Sequence, residues 1–347
     1  MDNLFTRFAA AAALTLAFAC AGDSPDNRLI VCGIDDGLLP SDYGEADVYF
    51  VNEKGTLWSN GRIVETGLDY AASVFVSDGD VYVAGTRNEP IWPDARERRS
   101  VAAVWKNGTI SPMGLDAVAE DDIHTSSCAL SVFVSGGKVY AAGYKSNWVE
   151  NTSVAVLWVD GVATHLSEAR HEYGRHAMAC SVYVSDGTVY VAGEDDKQAV
   201  LWVNGEARAL GGGRAKSVCV SGGDVYVAGR FGNGPTLWKN GLAMTLGNRE
   251  SCDVESVSVS GGNTYVAGFD GQYAILWVNG AARRLSNGRT NEWATAAVES
   301  GGNVYAVGYA NVWRLKSRLW LDGKPIAIPS VGRVSSLFVA ERTAGRQ

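Results

Sequence analysis

The stretch that decides the fold is Ser181–Gly193, which reads SVYVSDGTVYVAG, and Ala199–Gly205, AVLWVNG, follows it closely. Both alternate β-branched or aromatic residues with small or polar ones, which is typical of short β-strands. The first is interrupted by Asp186-Gly187 and the second ends on Asn204-Gly205. Such pairs adopt the positive φ angles of a tight hairpin turn at little cost. The stretch therefore predicts two consecutive β-hairpins.

The same two hairpins recur along the whole chain. The tryptophan phrase occurs at Trp58, Trp105, Trp158, Trp202, Trp238, Trp277 and Trp320, each followed at the second and third residues by Asn-Gly or Asp-Gly. The preceding hairpin, S-[GD]-G-x-[VT]-Y, occurs at Ser77–Tyr82, Ser135–Tyr140, Ser185–Tyr190, Ser221–Tyr226, Ser260–Tyr265 and Ser300–Tyr305. Tryptophan spacing runs from 36 residues (Trp202 to Trp238) to 53 residues (Trp105 to Trp158). Four short strands in a unit of this length are the mark of a propeller blade.

Over residues 29–341 the repeats resemble the seven-bladed β-propellers of secreted bacterial proteins. The resemblance implies an all-β fold with seven blades of four antiparallel strands. We call the strand that opens each unit, such as Ser181–Ser185, its first strand. Ser335–Val339 resembles a first strand, but no second strand follows it, and the amino end has no first strand. We therefore expect the C-terminal strand to close the first blade. Either Leu29–Gly33 or Val48–Val51 is the second strand of that blade.

Two residue types of the repeat are interpreted as structural. The seven tryptophans occupy one strand position, which favours packing between units over an aromatic ring for stacking sugars. A glycine ends the second strand in six units and indicates a backbone requirement there: Gly85, Gly143, Gly193, Gly229, Gly268 and Gly308.

The amino end carries targeting features. Arg7 precedes an apolar run too short to span a membrane comfortably. Residues 1–19 are expected to be a signal peptide, and the run up to Cys20 resembles a bacterial lipoprotein lipobox, although Ala17 and Phe18 depart from its common form. The resemblance implies that Cys20 is acylated, with palmitate as a typical chain, and that the protein is lipid-anchored at the outer membrane or in the periplasm. Ordinary secretion is the alternative. Residues 20–28 are small and polar, as in a tether, and residues 342–347 form a C-terminal tail.

Composition narrows the partners and cofactors. The formal net charge is −8 and the pI about 5.1, which argues against nucleic acid as a partner because phosphate binding requires a basic surface. We expect a monomer and no cofactor. The acidic segment Asp35–Asp47 offers carboxylates for Ca²⁺, but a solvated loop is the favoured interpretation.

The cysteines leave two interpretations open. Without Cys20 the count is odd, and Cys219 stands where other units have an aromatic residue, as a buried small side chain. Cys128 and Cys180 lie at or just before first strands of consecutive units. In an oxidising compartment they form a disulfide, or they stay free thiols.

The connections that lead into first strands contain the candidate binding site. Five of them have an arginine after a small residue, and in a closed ring these would surround one axis and bind carboxylate, sulfate or phosphate: Arg175, Arg214, Arg249, Arg289 and Arg333. The alternative is that each is solvated or paired with a nearby acid. His176, Tyr70 and Trp293 are the other candidate ligand-binding residues.

No catalytic motif stands out, so the sequence favours a protein that is not an enzyme. The expected function is a membrane-tethered secreted propeller that binds a protein, a glycan or an anionic ligand at the channel face, or acts as a scaffold. The alternative is a glycan-acting hydrolase or lyase with carboxylates at the channel mouth, an interpretation that rests on fold analogy alone.

Overall fold

The computed structural model describes residues 46–59, 62–91, 97–114, 124–167, 176–232, 234–247, 251–312, 314–326, 328 and 332–341. Every element within them is a β-strand, and every strand pairing is antiparallel. No helix in these ranges is long and apolar enough to cross a membrane. The described residues do not include the signal and tether segments, Leu29–Gly33, or residues 35–45 of the acidic segment.

The strands form six sheets. The first has the order β27-β1-β2-β3 and consists of β27 (Val334–Glu341), β1 (Ala46–Asn52), β2 (Thr56–Ser59) and β3 (Arg62–Glu65). The second contains β4 (Tyr70–Ser77), β5 (Asp80–Pro90), β6 (Arg98–Lys106) and β7 (Thr109–Pro112). The third contains β8 (Thr125–Ser135), β9 (Lys138–Asn147), β10 (Thr152–Val159) and β11 (Val162–His165).

The fourth sheet has seven strands: β12 (Ala177–Ser185), β13 (Thr188–Asp195), β14 (Gln198–Val203), β15 (Glu206–Ser221), β16 (Asp224–Phe231), β17 (Gly234–Lys239) and β18 (Leu242–Thr245). The fifth contains β19 (Cys252–Ser260), β20 (Asn263–Asp270), β21 (Tyr273–Val278) and β22 (Ala281–Arg284). The sixth contains β23 (Asn291–Ser300), β24 (Asn303–Val312), β25 (Arg314–Leu321) and β26 (Lys324–Ile326).

The count of six sheets differs from the seven four-stranded units expected from the repeat. The cause is β15, a single strand of 16 residues that pairs with β14 through its first half and with β16 through its second. It spans the shortest tryptophan spacing, so no residues remain for a connecting loop. Gly211 and Gly213 have φ angles of 115° and 137°, which let the chain cross from one unit into the next while staying paired.

The order of strands in the first sheet is now defined. β1 lies between β27 and β2, with Val48 opposite Val339 and Phe50 opposite Leu337. Val48–Val51 therefore belongs to the second-strand position of that sheet, which the sequence left open. The C-terminal strand β27 pairs with β1, the first described strand.

The turns are those that the sequence predicts. In the six tryptophan hairpins whose turns the structure describes, both central residues have positive φ, for example 49° at Asn204 and 87° at Gly205. The turn side chain also accepts a hydrogen bond from the start of the neighbouring strand: Val189 N–H donates to Asn204 Oδ1 at 2.9 Å. The same contact recurs for Asn107, Asp160, Asn240, Asn279 and Asp322. Asn and Asp thus serve both the φ angle and the register.

The seven repeated tryptophans are core residues, and none exposes more than 5% of its surface. This agrees with their interpretation as packing residues. Burial of indole on this scale stabilises each unit by several kcal/mol gross, at ~25 cal/mol per Å² of apolar surface.

The first strands of the units contact one another in sequence, and β27 contacts both β23 and β4. Serine side chains link several neighbours: Ser336, Ser73, Ser131, Ser181 and Ser217 each accept a hydrogen bond at Oγ from a valine N–H of the next first strand, at 3.0–3.4 Å. These five serines, each of which follows the same position at the start of a first strand, therefore form hydrogen bonds between units.

Candidate functional site

Each of the seven first strands has one β-bulge at the same place. In β4, Ala71 lies opposite Gly85 and Ser73 opposite Ala84, so that Ala72 is the extra residue. We call these extra residues the bulge row: Ala72, Leu130, Cys180, Lys216, Glu255, Thr295 and Ser335. All seven are buried. Bulges re-aim side chains and are frequent beside functional sites.

The bulge explains the recurrent glycine. A Cβ at Gly85, Gly143, Gly193, Gly229, Gly268 or Gly308 would lie 1.8–2.1 Å from the carbonyl oxygen of the residue two positions before the bulge. Only a residue without a side chain allows the two backbones to approach so closely.

The residues two positions before each bulge form a second set, which we call the pre-bulge row: Tyr70, Cys128, Met178, Arg214, Asp253, Trp293 and Arg333. Four of the predicted ligand-binding residues, Tyr70, Arg214, Trp293 and Arg333, belong to it. The sequence analysis grouped them because they lie in the connections that lead into first strands. The strand register now gives them one equivalent position on neighbouring strands.

The remaining predicted residues do not join this row. Arg289 is an exposed residue between β22 and β23, and its N–H donates to Asn287 Oδ1 at 3.0 Å. His176 precedes β12; its Nδ1 lies 3.5 Å from Ser153 Oγ, and its backbone carbonyl accepts from Asp196 N–H at 2.9 Å. Arg175, Arg249 and Cys20 lie outside the described residues.

The arginines of the pre-bulge row are engaged with neighbours in the protein. Arg214 Nε donates to Glu194 Oε2 in a close ion pair. Arg333 places its guanidinium 4.8 Å from the ring centroid of Tyr309. The described residues therefore contain two arginines of the predicted ring at equivalent positions, and the third, Arg289, lies apart from them.

Charged residues that the sequence analysis missed lie beside these arginines. Lys216 Nζ contacts Asp253 Oδ2 at 2.9 Å and both carboxylate oxygens of Glu255 at 3.1 Å. A signal for them exists in the repeat, because Lys216 and Glu255 occupy a slot that is small or apolar in other units. A charged residue inside an otherwise apolar strand indicates a paired or functional group.

Burial sets the protonation of this cluster. Burial raises the pKa of Glu255 to about 7, against the opposing effect of Lys216. Burial alone would lower the pKa of Lys216, but Glu255 and Asp253 outweigh it and hold that pKa above its ordinary value. Lys216 is therefore a fixed cation at neutral pH, and Glu255 is the group that titrates.

The aromatic residues of the site support one another. Trp293 stacks on Tyr309 with ring centroids 5.0 Å apart and an angle of 16° between the planes. Phe269 meets Trp293 edge-on at 6.0 Å. With Arg333 against Tyr309, the indole of Trp293 is held in one orientation while remaining partly exposed.

On β4, β8 and β12 the members of both rows are apolar or aromatic. Tyr70 and Tyr144 pack with Ala72, Cys128, Leu130, Met178 and Cys180. The Tyr70 hydroxyl is buried and has no hydrogen-bond partner among the described residues, and burial raises its pKa well above the ordinary value. A buried hydroxyl of this kind lacks the partner that most such groups have.

Of the two interpretations of Cys128 and Cys180, the structure has the free thiols. Burial raises the pKa of Cys128 to about 12 and that of Cys180 to about 11, so both stay protonated at neutral pH. Cys219 is fully buried, as expected, but it is disulfide-bonded rather than a simple packing residue. No group of three or more potential metal ligands occurs in the described part of the chain, and the acidic segment considered for Ca²⁺ lies outside it except for Ala46 and Asp47.

No protein-family model matches the sequence, and no curated protein matches it. Solved structures give distant likenesses. The computationally designed Ika8 protein aligns at 13% identity and a TM-score of 0.46, over 92% of this chain and 98% of that one. Trypanosoma rangeli sialidase aligns at 13% and 0.46, over 84% of this chain and 58% of the sialidase. The beta-propeller domain of the Trilobed protease from Pyrococcus furiosus aligns at 10% and 0.44, over 75% and 83%. Propeller domains are thus among the structures that the chain resembles, and likenesses this distant carry no argument about function.

Proposed function

We propose that the chain is a seven-bladed β-propeller that binds a ligand at its pre-bulge row. The architecture is supported by the seven equivalent first strands, each with its bulge, and by the pairing of β27 with β1. In this interpretation β15 supplies the last strand of one blade and the first strand of the next. The contacts of β27 with β4 and β23 then join the ends of the ring, which removes open sheet edges.

We also propose that the protein is exported and lipid-anchored through Cys20. This rests on the apolar leader and lipobox-like residues, and the disulfide of Cys219 fits an oxidising compartment. The intact mass of protein from bacterial membranes tests the anchor. A mass increment of two or three acyl chains that is lost in Cys20→Ala supports it, and an unmodified chain beginning after the leader contradicts it.

One observation carries the binding function. Arg214, Asp253 and Trp293 occupy the same position on three successive first strands, and Arg333 has the equivalent place directly before β27. The side chains of Arg214 and Asp253 are 28% and 19% exposed. The next layer, with Lys216 and Glu255, is buried beneath them. A few oriented polar groups and an aromatic ring above a packed floor are the composition of a ligand site.

A thermal-shift screen of the full chain against neutral sugars, carboxylates, phosphates and peptides tests this function. We expect one class to raise the melting temperature, and the shift to disappear in Trp293→Leu and Arg333→Ala. Arg289→Ala is the matched control, since it removes an arginine outside the row. A shift that is the same in all variants, or no shift with any class, contradicts the proposal.

A glycan-acting enzyme is the second candidate, and one observation favours it. Asp253 and Glu255 share Lys216 Nζ at 2.9 and 3.1 Å, so their nearest oxygens are at most 6.0 Å apart, a limit that is compatible with the separation of about 5–5.5 Å in retaining glycosidases. Glu255, however, is fully buried. Turnover of a glycan that is abolished by Asp253→Asn would support the enzyme, and binding without turnover supports the binding module.

A further inference from the structure

We propose that the ligand of the pre-bulge row is a neutral saccharide that stacks on Trp293. The inference rests on the proposed binding function and adds the chemical class of the ligand. It comes from the charge balance around the row, from the orientation of the Trp293 ring and from the unpartnered Tyr70 hydroxyl.

The charge balance argues against a free anion. Arg214, Lys216 and Arg333 supply three positive charges, and Glu194, Asp253 and Glu255 supply three negative charges when ionised. Glu53, whose N–H donates to the Arg333 carbonyl at 3.1 Å, adds a fourth acid, and Arg230, whose Nη1 donates to the Cys252 carbonyl at 3.1 Å, adds a fourth cation. A phosphate or carboxylate would have to displace an acid from its ion pair and would face the remaining carboxylates, so its attraction would be largely cancelled.

The same ion pairs suit hydroxyl groups. Because Arg214 and Asp253 are fixed by Glu194 and Lys216, their remaining N–H groups and oxygen lone pairs keep defined directions. Adjacent hydroxyls of a sugar ring donate and accept in pairs, and a neutral ligand breaks no ion pair on entering. Such groups provide specificity at a small desolvation cost because they are already partly solvated.

The aromatic residue provides the apolar surface that a sugar requires. Trp293 is backed by Tyr309 at 5.0 Å and bordered by Phe269 at 6.0 Å, so little conformational freedom is lost when a ligand stacks on it. Indole combines a large apolar face with a polar edge, which matches the C–H face and hydroxyl rim of a pyranose.

The Tyr70 hydroxyl is an independent sign of a missing partner. It is buried without a hydrogen bond to the described residues. Tyr70 is the row member on β4, which contacts β27, the strand that follows Arg333. A sugar hydroxyl satisfies it when the Tyr70 side chain turns out of its apolar surroundings towards the bound ligand. Tyr70→Phe should therefore leave the free protein as stable as before, or slightly more stable, and weaken binding about three- to tenfold.

The test is an array of neutral oligosaccharides together with their sulfated and sialylated counterparts, probed with the full chain and followed by calorimetric titration of the hits. We expect binding to neutral members, with a Kd that changes less than twofold between 50 and 500 mM NaCl. Trp293→Leu should weaken binding at least tenfold. Trp148→Leu is the matched control, because Trp148 is 52% exposed and lies outside the row.

The outcomes separate the two proposals. If only sulfated or sialylated members bind, or if only a peptide of the thermal-shift screen binds, and Trp293→Leu still abolishes that binding, the neutral-saccharide class is wrong and the binding function stands. If no probe of any class binds, both fail. Equal loss of binding in Trp148→Leu and Trp293→Leu would also overturn the assignment. Thermal melting of each variant verifies that it is folded.

Discussion

Lys216 and Glu255 form a buried ion pair between adjacent first strands, with Nζ of the lysine 3.1 Å from both carboxylate oxygens. Glu255 is fully buried, and only 9% of the Lys216 side chain is exposed. Lys216→Met should therefore leave the buried Glu255 carboxylate beside Asp253 without its cation, and destabilise the protein by about 3–5 kcal/mol at pH 8. Urea unfolding measures this.

The double variant Lys216→Met/Glu255→Met serves as its control. Replacement of a buried pair by apolar residues of similar volume is often neutral or stabilising, so most of the loss should be recovered. If the single variant is as stable as the original protein, the pair does not hold these two strands together.

Stability should depend on pH through Glu255. Its pKa is about 7 in the folded protein and about 4.5 when unfolded, so the folded state binds more protons between these values. The contribution is fully present below pH 4.5 and is lost as the pH rises through 7, with a slope of up to ~1.4 kcal/mol per unit. Urea unfolding between pH 5 and 8 should show this decline, and Glu255→Gln should flatten it. An equal slope in the variant would refute the assignment to Glu255.

The glycine at the bulge is expected to be irreplaceable. A Cβ at Gly193 would lie 2.0 Å from the Met178 carbonyl oxygen and 2.8 Å from Trp202 Cζ3, so Gly193→Ala should destabilise by about 3 kcal/mol. Gly212 is the matched control, because a Cβ there meets nothing within 4 Å and its φ is not in the left-handed region. Gly212→Ala should stabilise slightly, by about 0.4–1 kcal/mol. Comparable melting temperatures for the two variants would contradict the close approach.

The serine links between first strands can be tested in the same way. Val218 N–H donates to Ser181 Oγ at 3.0 Å, and Ser181→Ala would leave that buried N–H without this partner, at a cost of about 1–3 kcal/mol. Ser256 has the equivalent place in β19, but its buried Oγ has no hydrogen-bond partner in the described structure. Ser256→Ala should be neutral or stabilising. Thermal unfolding distinguishes the two, and equal losses would show that the links contribute nothing specific.

Local features of the fold were predictable from the sequence. Asn-Gly and Asp-Gly turns, strand alternation and the buried tryptophans are decided within a few residues, and the structure has them where the repeat predicts. The glycine after the second strand was expected to meet a backbone requirement, and its nature, the carbonyl of the bulged neighbour, emerged only with the pairing register. The sequence did not predict that β15 joins two units into one sheet, because this depends on a connection too short to form a loop.

The site was less predictable because it forms between strands. Lys216 and Glu255 are 39 residues apart, and only their shared place at the bulge brings them together. The pattern of an arginine after a small residue grouped Arg289 with Arg214 and Arg333, because it was defined by the loop residue before the arginine and not by the distance to the next strand. Counting from the first strand would have separated Arg289, four residues before Trp293, and would have grouped Trp293 with the two arginines instead.

Hydrogen–deuterium exchange of the full chain, with and without a neutral oligosaccharide identified on the array, tests the central claim most directly. Binding at the pre-bulge row predicts slower exchange around Arg214 in the middle of β15 and at the beginnings of β19, β23 and β27. It predicts little change in the outer strands β11 and β18, and an oligosaccharide recovered intact. Protection confined to other strands, or recovery of cleaved sugar, would contradict a binding module with its site at this row.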